Sequence, residues 1–316
     1  MSVKGRILTI GNAYIEMHMQ TARLPIANQT VVEDDYELRP GGKGGNSAVA
    51  VARMGLESVF CTSVGQDSDG NRLRNFYNFN GINTSTMYVD PAHNTGLSVY
   101  LYETQYDSKR RIIYPGANKS FSIGQIEAAL GTYPDAIFMT LEVPFSLAVA
   151  VSSLAKHHGI PVFLDASPAQ LGLHLEQLEN IEIFFAGKQE VYIHTGINPT
   201  SLESCLKACI ALGQTVKAKY YVLRLGESGF FVYDGKYHNV IGPYSLDNTP
   251  SPTFVDVEAA IVSSEYLITQ DIRKACLVGS AATKFAKERH DIKIPTREQL
   301  RAFCEENEFD IKIARV

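Results

Sequence analysis

Short apolar runs and segments of helical spacing alternate along most of this chain. Five apolar runs predict buried strands: Ile7–Ile10, Ala136–Leu141, Pro161–Asp165, Ile181–Phe185 and Tyr220–Leu225. Six segments with apolar residues at helical spacing predict helices: Gly44–Arg53, Ser68–Asn80, Ile123–Ala129, Phe145–His157, Thr200–Leu212 and Asp271–Glu288. Because alternating strands and helices are joined by crossover connections, the pattern predicts an α/β fold whose mostly parallel sheet is covered on both faces.

A different pattern, alternation of apolar and polar residues, is present at Tyr14–Gln20, Thr30–Leu38 and Thr95–Pro115. The third segment alternates through Ser98–Glu103 and turns at Tyr106–Lys109, which predicts a β-hairpin with one solvated face. Together the three segments predict a small separate sheet that could act as a lid over a site. An edge extension of the main sheet is the alternative, and the pattern fits both.

The alternation also predicts an apolar face on the small sheet. Val99, Leu101 and Ile113 are expected to present this face to the small sheet of a second copy of the chain. An apolar strand surface needs cover, and a twofold arrangement would supply it, so we expect a homodimer.

Composition narrows the class of protein. The chain has 316 residues, of which 45% are hydrophobic and 20% charged, and its net charge is −5. It therefore has no global basic field for nucleic acid or an anionic membrane, and its apolar runs hold too many polar residues to cross a bilayer. The five cysteines are odd in number and include no CxxC pair, which argues against a disulfide framework or a zinc site. We expect a cytoplasmic protein with reduced thiols.

The densest chemical signal is a glycine-rich segment, Gly41–Asn46, that directly precedes a predicted helix of small residues. Four glycines in five positions let the backbone approach a ligand closely, and Lys43 and Asn46 add a cation and an amide at the helix start. The residue order matches neither the Walker phosphate loop nor the GxGxxG dinucleotide motif. We expect a hydroxyl-rich or anionic ligand here, and the alternative is a tight turn without a ligand.

The stretch GGKGGNSAVAVARMG resembles the N-terminal signature of the ribokinase-like family, also called the phosphofructokinase B family. Six further segments resemble family motifs in the order in which the family has them: Ile10–Glu16, Val64–Gly70, Arg110–Asn118, Leu141–Pro144, Leu164–Ala169 and Leu225–Gly229. The resemblance implies a single domain over residues 1–316, built as a three-layer α/β sandwich with a mostly parallel central sheet. It also implies a β-sheet lid formed by residues of about 14–38 and 95–115.

The same resemblance implies a carbohydrate kinase that uses ATP and Mg²⁺ and transfers the γ-phosphate to a hydroxyl of a sugar or nucleoside. Carried over by position, the sugar-binding residues would be Glu16, Gly42, Lys43, Asn46 and Glu142. The nucleotide-binding residues would be Gly187, Glu190, Arg224, Gly226, Gly229 and Ser280, with Glu190 also holding Mg²⁺ through water. The family usually has aspartate at position 16, so the longer glutamate leaves the identity of the sugar open.

The catalytic motif departs from the family pattern. The family has a DTxGAGD-like segment whose glycine N–H groups bind phosphate and whose last aspartate takes the hydroxyl proton. The candidate stretch here, Leu246–Asp256, is typical of a proline-rich loop and contains no glycine. Two registers are open: counting back from the following helix makes Asp256 the base, whereas aligning on Asp247 and Thr249 puts Thr253 in that position.

Two further departures lie on the nucleotide side. Gly187 stands where the family's NxxE segment has asparagine, and Arg224 stands where threonine is common. We expect Arg224 to pair with a nearby acid rather than to serve as a substitute cation. Two functions therefore stay open: a weakly active sugar kinase, and a non-catalytic relative that binds a sugar or nucleotide.

Overall fold

The computed structural model describes residues 5–226, 229–242, 252–289 and 294–306, with the backbone alone at 252–256 and 287–289. The strands in these ranges are β1 (Arg6–Ile10), β2 (Tyr14–Thr21), β3 (Glu37–Gly41), β4 (Glu57–Gly65), β5 (Met87–Asp90), β6 (Leu97–Glu103), β7 (Ser108–Tyr114), β8 (Ala136–Thr140), β9 (Val162–Asp165), β10 (Ile181–Gly187), β11 (Ala218–Arg224), β12 (Phe230–Tyr233) and β13 (His238–Ile241). The helices are α1 (Lys43–Arg53), α2 (Ser68–Phe79), α3 (Ile123–Leu130), α4 (Phe145–His157), α5 (Lys188–Thr195), α6 (Leu202–Thr215), α7 (Pro252–Thr269), α8 (Ile272–Arg289) and α9 (Arg297–Glu306).

Nine of the described strands form one sheet in the order β13-β12-β11-β10-β9-β8-β1-β4-β5. Neighbouring strands from β11 to β5 run parallel, and the β11–β12 and β12–β13 pairs at one edge are antiparallel. The predicted mostly parallel α/β sheet is therefore confirmed. Each of the five strands predicted from apolar runs lies in it.

Helices cover both faces of this sheet, because successive side chains of a strand point to opposite sides. On one face, Ile7 and Phe138 pack with residues of α1, α7 and α8 in a buried cluster. On the other face, Leu8 and Ile10 pack with residues of α3 and α4 in a second cluster. None of the helices in the described ranges is both long enough and apolar enough to cross a bilayer.

The small sheet has four strands in the order β3-β2-β6-β7. Strands β6 and β7 form the predicted hairpin, and its tip includes Asp107 with a φ of 45°. The prediction of a strand at Thr30–Leu38 is wrong for residues 30–36, because β3 begins only at Glu37. Residues 33–35 are three consecutive exposed acids, and such residues gain little from strand packing.

The register of the small sheet decides which of its side chains share a face. Val99 lies opposite Ile112, whereas Ile113 lies opposite Ser98. Directly opposite residues of an antiparallel pair project to the same face, so the predicted apolar set is wrong at Ile113. Ile112, with 62% of its surface exposed, takes the place of Ile113 beside Val99 and Leu101. We call the Val99 face the outer face and the Ser98 face the inner face.

Helix α7 also differs from the sequence-based expectation, since it begins at Pro252 and not after a proline-rich loop that reaches residue 256. Proline is compatible with the first helical position because its missing N–H would have no partner within the helix there. Thr253 therefore lies in the first turn of α7 and Asp256 at the start of the second. Asp247 and Thr249 lie outside the described residues.

Candidate active site

The residues predicted to bind ligands lie at one edge of the main sheet, at the carboxyl ends of its parallel strands. Glu142 follows β8, Gly187 ends β10 and Arg224 ends β11. The start of α1 lies against the loop after β1, where the N–H of Gly45 donates to the backbone oxygen of Asn12 at 3.2 Å. Ligands of open α/β sheets bind at this edge. The residues predicted to bind the sugar, which we call the sugar side, therefore lie near β1 and β8. The residues predicted to bind the nucleotide, which we call the nucleotide side, lie near β10 and β11.

The glycine-rich segment lets α1 begin in close contact with the loop after β1. Gly42 is the N-cap of α1 and has a φ of 93°. A Cβ at Gly42 would lie 2.7 Å from the backbone oxygen of Asn12, and one at Gly44 would lie 2.5 Å from the carbonyl carbon of Gly11. Only glycine allows both approaches, and Lys43 and Asn46 are thereby held in the first turn of α1, next to the end of β1.

Glu16 is held in place by contacts to both of its carboxylate oxygens. Oε1 accepts a hydrogen bond from the N–H of Gly42 at 3.1 Å, and Oε2 lies 3.2 Å from Nε2 of His18 and 3.9 Å from Nε of Arg39. Burial opposes ionisation, yet the hydrogen bonds with His18 and Gly42 keep the pKa of Glu16 below its usual value. A charged carboxylate is therefore positioned on β2 before any ligand binds.

Glu142, which follows β8, is the second carboxylate of the sugar side. Its Oε2 accepts a hydrogen bond from the N–H of Lys43 at 3.2 Å. Nδ2 of Asn12 donates to the backbone oxygen of Glu142 at 3.3 Å and to the hydroxyl of Tyr14 at 2.9 Å. Tyr14 is 3% exposed, and burial together with the charge of Glu142 raises its pKa to about 12. Sequence reasoning gave Asn12 and Tyr14 no role, although their positions four and two residues before Glu16 were an available signal.

Two other motif residues fix the points at which the chain enters the small sheet. Asp67 accepts hydrogen bonds from the N–H and the hydroxyl of Thr95, at 2.7 and 2.6 Å, just before β6. Asn118 accepts from the N–H of Ala13 at 3.1 Å and donates to the backbone oxygen of Ala13 at 2.9 Å, just before β2. These motifs therefore anchor the small sheet beside the sugar side.

On the nucleotide side, Glu190 is turned back onto the start of its own helix. The N–H of Gly187, the N-cap of α5, donates to Oε2 of Glu190 at 2.9 Å. A Cβ at position 187 would lie 2.6 Å from the same oxygen. This conformation of Glu190 therefore requires glycine at position 187, since a larger residue would displace the carboxylate.

Arg224 pairs with an acid, which confirms the expectation from the sequence. Its Nη1 and Nη2 donate to Oδ2 and Oδ1 of Asp165, at 2.9 and 2.7 Å, and both side chains are buried. Burial disfavours the charged guanidinium, but Asp165, with Glu258 and Glu190 nearby, raises the pKa of Arg224. Asp165 ends β9, and sequence reasoning did not assign it a role because only the order of β9, β10 and β11 brings it to Arg224.

The remaining nucleotide-side predictions lie on a turn and on α8. The N–H of Gly229 donates to the backbone oxygen of Gly226 at 3.0 Å, which brings the two glycines of the LGxxG segment together just after β11. Ser280 is buried on α8, one turn before Thr283, whose hydroxyl donates to Glu258 of α7. The side chains of Thr253 and Asp256 lie outside the described residues, so the base stays a prediction.

The carboxylates of the nucleotide side do not form a ready site for Mg²⁺. In the part of the chain that the structure describes, no three His, Cys, Asp or Glu side chains are grouped so as to hold a metal ion. Glu190 already accepts from the N–H of Gly187, and both oxygens of Asp165 accept from Arg224. Mg²⁺ usually keeps several of its waters and is held by one or two carboxylates together with substrate phosphates, so Glu190 would hold it through water and not as part of a preformed protein cage.

The sequence pattern of pfkB family carbohydrate kinases matches residues 4–260 of the chain. This chain belongs to the pfkB family of carbohydrate kinases. Its relatives in that family include the ribokinase of Haemophilus influenzae, which is 27% identical over 282 residues that cover 88% of this chain and 91% of the relative.

Solved structures agree with the fold of this pfkB-family chain. The ribokinase of Arabidopsis thaliana, determined with ribose and ATP, matches with a TM-score of 0.82 and 20% identity over 95% of this chain and 98% of that one. A nucleoside kinase of Methanocaldococcus jannaschii matches with a TM-score of 0.74 and 16% identity over 96% and 98% of the two chains. The fold implied by the sequence motifs is therefore confirmed.

Proposed function

We propose that this chain transfers the γ-phosphate of ATP to a hydroxyl of a small sugar or nucleoside, at a low rate. The observation that carries the proposal is the assembled sugar side, where Glu16 contacts Gly42 and Glu142 contacts Lys43. Membership of a carbohydrate kinase family supports phosphoryl transfer to a sugar, and the ATP in the Arabidopsis relative supports the nucleotide donor.

The residues of the sugar side offer both partners that a hydroxyl group needs. Glu16 and Glu142 supply carboxylate acceptors, whereas Lys43 and the amide of Asn46 supply donors. Hydrogen bonds that involve a charged partner are shorter and stronger than neutral ones, so this set can orient one sugar hydroxyl toward the phosphate donor.

Helix α7 would supply the phosphate-binding site and the catalytic base. The first N–H groups of a helix have no partner within it, and the helix dipole favours an anion there, so the start of α7 is a natural place for a phosphate. We propose Asp256 as the base that takes the hydroxyl proton, with Thr253 as the alternative register. We attribute the low rate to Pro252, which removes one N–H donor, and to the sequence before it, which has no glycine from residue 243 to residue 251.

A second candidate function, binding of a sugar without turnover, is favoured by the contacts of the nucleotide side. Arg224 is engaged by Asp165, and Glu190 occupies the N–H of Gly187. Groups that could contact phosphates are thus already used within the protein. This chain would then act as a sensor or as a partner in complexes.

Three further proposals concern the whole molecule. We propose that the small sheet is a lid of a single domain, since its strands include both Glu16 and the hairpin beside it. We propose a homodimer in which the outer faces of two lids, with Val99, Leu101 and Ile112, pack together. The five unpaired cysteines support a cytoplasmic location.

Two measurements on the purified chain test the function. Turnover is assayed with ATP or ADP against a panel of pentoses, hexoses and nucleosides, and sugar affinity is measured by calorimetry. We expect slow phosphorylation of at least one member of the panel. Sugar binding without turnover for either donor would support the second candidate, and absence of both binding and turnover would contradict both.

A further inference from the structure

A histidine on the inner face of the small sheet contacts the Glu16 carboxylate. His18 follows Glu16 by two residues on β2, so the two side chains project to the same face. The His18 ring stacks on Tyr100 of β6 with the ring centres 4.7 Å apart, and only 10% of the His18 side chain is exposed. The stack therefore fixes the plane of the imidazole beside Glu16.

One nitrogen of His18 has two partners with opposite requirements. Nε of Arg39 donates a hydrogen bond to Nε2 of His18 at 2.9 Å, which requires that Nε2 carries no proton. Oε2 of Glu16 lies 3.2 Å from the same Nε2, and an ionised carboxylate can only accept, which requires that Nε2 does carry a proton. The two contacts cannot both be hydrogen bonds at the same time.

The other ring nitrogen does not make this choice. Nδ1 of His18 lies 3.0 Å from the hydroxyl of Tyr102 and 3.2 Å from Nη2 of Arg39. A hydroxyl both donates and accepts, so the contact with Tyr102 is compatible with Nδ1 in either form. The proton on Nε2 therefore decides whether His18 is bonded to Arg39 or to Glu16.

The two charge states of His18 affect Glu16 differently. A neutral imidazole can accept from Arg39 through Nε2, and Oε2 of Glu16 then receives no hydrogen bond from it. An imidazolium carries a proton on both nitrogens, so it donates to Glu16 and forms an ion pair with it. Arg39 loses its acceptor in that state, but it lies 3.9 Å from both Glu16 and Glu37, which balance its charge.

His18 is the member of this group whose charge is expected to change near neutral pH. Burial opposes the ionisation of Glu16, yet hydrogen bonds lower its pKa, and burial raises the pKa of Tyr102. Imidazoles ordinarily titrate at about pH 6.5, and arginine, lysine and tyrosine at about pH 10 or above. The further charged groups that face the imidazole from neighbouring strands are Arg39 and Glu37 of β3 and, across the Tyr100 ring, Lys109 and Arg111 of β7.

We propose that His18 is a positioning residue whose proton switches the Glu16 carboxylate between an ion pair with the imidazolium and a hydrogen bond with a sugar hydroxyl. The proposal rests on the proposed function, since it takes Glu16 as an acceptor for the sugar. A carboxylate that keeps its full charge makes a stronger hydrogen bond than one beside a cation that neutralises it. Sugar binding is therefore tighter when His18 is neutral, and at acidic pH it releases the imidazole proton.

Calorimetry with D-ribose, D-fructose and D-glucose between about pH 5.5 and about pH 7.5 tests this proposal, because these sugars do not titrate in that range. We expect the affinity of the parent chain to fall by roughly 3- to 10-fold from the upper to the lower pH, since one imidazole has to lose its proton before the sugar binds. At the lower pH, titrations in buffers of different ionisation enthalpy should show the release of up to one proton for each sugar bound.

The variant His18→Gln identifies the group that releases the proton. Its amide can still donate to Glu16 but does not titrate, so sugar affinity should be nearly constant over this pH range, without proton release. The matched control is His174→Gln. His174 and Glu176 form the same kind of pair at the same spacing, with Nδ1 and Oε1 3.0 Å apart, but both side chains are exposed. The control should keep the pH dependence of the parent.

A second variant, Arg39→Gln, changes the balance without removing the histidine. It takes away the like charge beside the imidazolium, so the fall in sugar affinity should begin at a higher pH than in the parent. Urea unfolding of each variant verifies that the fold is intact.

The possible outcomes separate this proposal from the proposed function. Sugar affinity that is independent of pH in the parent, or an equal pH dependence in the parent and in His18→Gln, would overturn the proposal and leave the proposed function standing. Absence of binding by every sugar of the panel at each pH would contradict the proposed function and, with it, this proposal.

Discussion

The sugar side and the nucleotide side lie on one edge of the same sheet, but they use their charged groups differently. On the sugar side, Glu16 and Glu142 accept from the backbone N–H groups of Gly42 and Lys43, and Glu16 also contacts His18. On the nucleotide side, Asp165 binds both terminal nitrogens of Arg224. We propose that the first arrangement prepares acceptors for hydroxyl groups and that the second uses up a cation that a phosphate would need.

The largest expected effect concerns the base. Asp256→Asn should lower turnover by about 10²–10⁴-fold, because a positioned base contributes that much to proton transfer. Thr253→Ala, three residues earlier in α7, is the control and should leave turnover nearly unchanged. The measurement is the initial rate with the best sugar of the panel, and the opposite ranking of the two variants would favour the alternative register.

The next effect concerns the ion pair of the nucleotide side. Arg224→Ala should lower the free energy of unfolding by about 3–5 kcal/mol, because it leaves the buried Asp165 without its partner. The double variant Asp165→Asn/Arg224→Thr removes both charges and should recover most of that loss in urea unfolding. The double variant should also bind ATP more tightly than the parent if the ion pair prevents ATP from binding at the nucleotide side.

A matched control for the ion pair is Arg297→Ala. Arg297 makes the same two-bond contact with Glu265, at 2.6 and 2.9 Å, between α9 and α7. It should destabilise the fold without changing ATP affinity. Equal ATP binding by the parent and the double variant would show that the two sides do not differ in the way we propose.

A smaller effect is expected at the glycine-rich helix start. Lys43→Ala should weaken sugar binding by roughly 10- to 100-fold and Asn46→Ala by roughly 2- to 10-fold, as expected for a charged and a neutral hydrogen bond. Calorimetry measures both, and Lys207→Ala, a surface lysine paired with Glu203 on α6, is the control. Unchanged affinity in both variants would remove Lys43 and Asn46 from the sugar side.

The smallest effect is the pH dependence of Glu16. Its pKa is lowered in the folded protein, so its charge stabilises the fold above the ordinary carboxylate value and the stabilisation is lost as the pH falls through the lowered pKa. Urea unfolding from neutral to acidic pH should therefore show a larger loss of stability in the parent than in Glu16→Gln. Parallel curves for the two proteins would contradict the contacts of Glu16 with His18 and Gly42.

Periodicity and local motifs predicted the main architecture, because they depend on contacts that are near in sequence. Apolar runs without polar alternation gave the strands of the parallel sheet, and strict alternation gave the hairpin of β6 and β7. The prediction failed where neither rule applied, as at β4, whose run is interrupted by Ser58, Thr62 and Ser63 even though all three are buried.

The sequence alone determined the family and the glycines that a close backbone approach requires, and it predicted the sugar-side residues. Tertiary structure decided which distant residues meet. The order of β9, β10 and β11 joins Asp165 to Arg224, and the register of β6 and β7 puts Arg111 inside and Arg110 outside. Sequence patterns report the faces of single elements, whereas partners across a sheet depend on strand order and register, which no local pattern encodes.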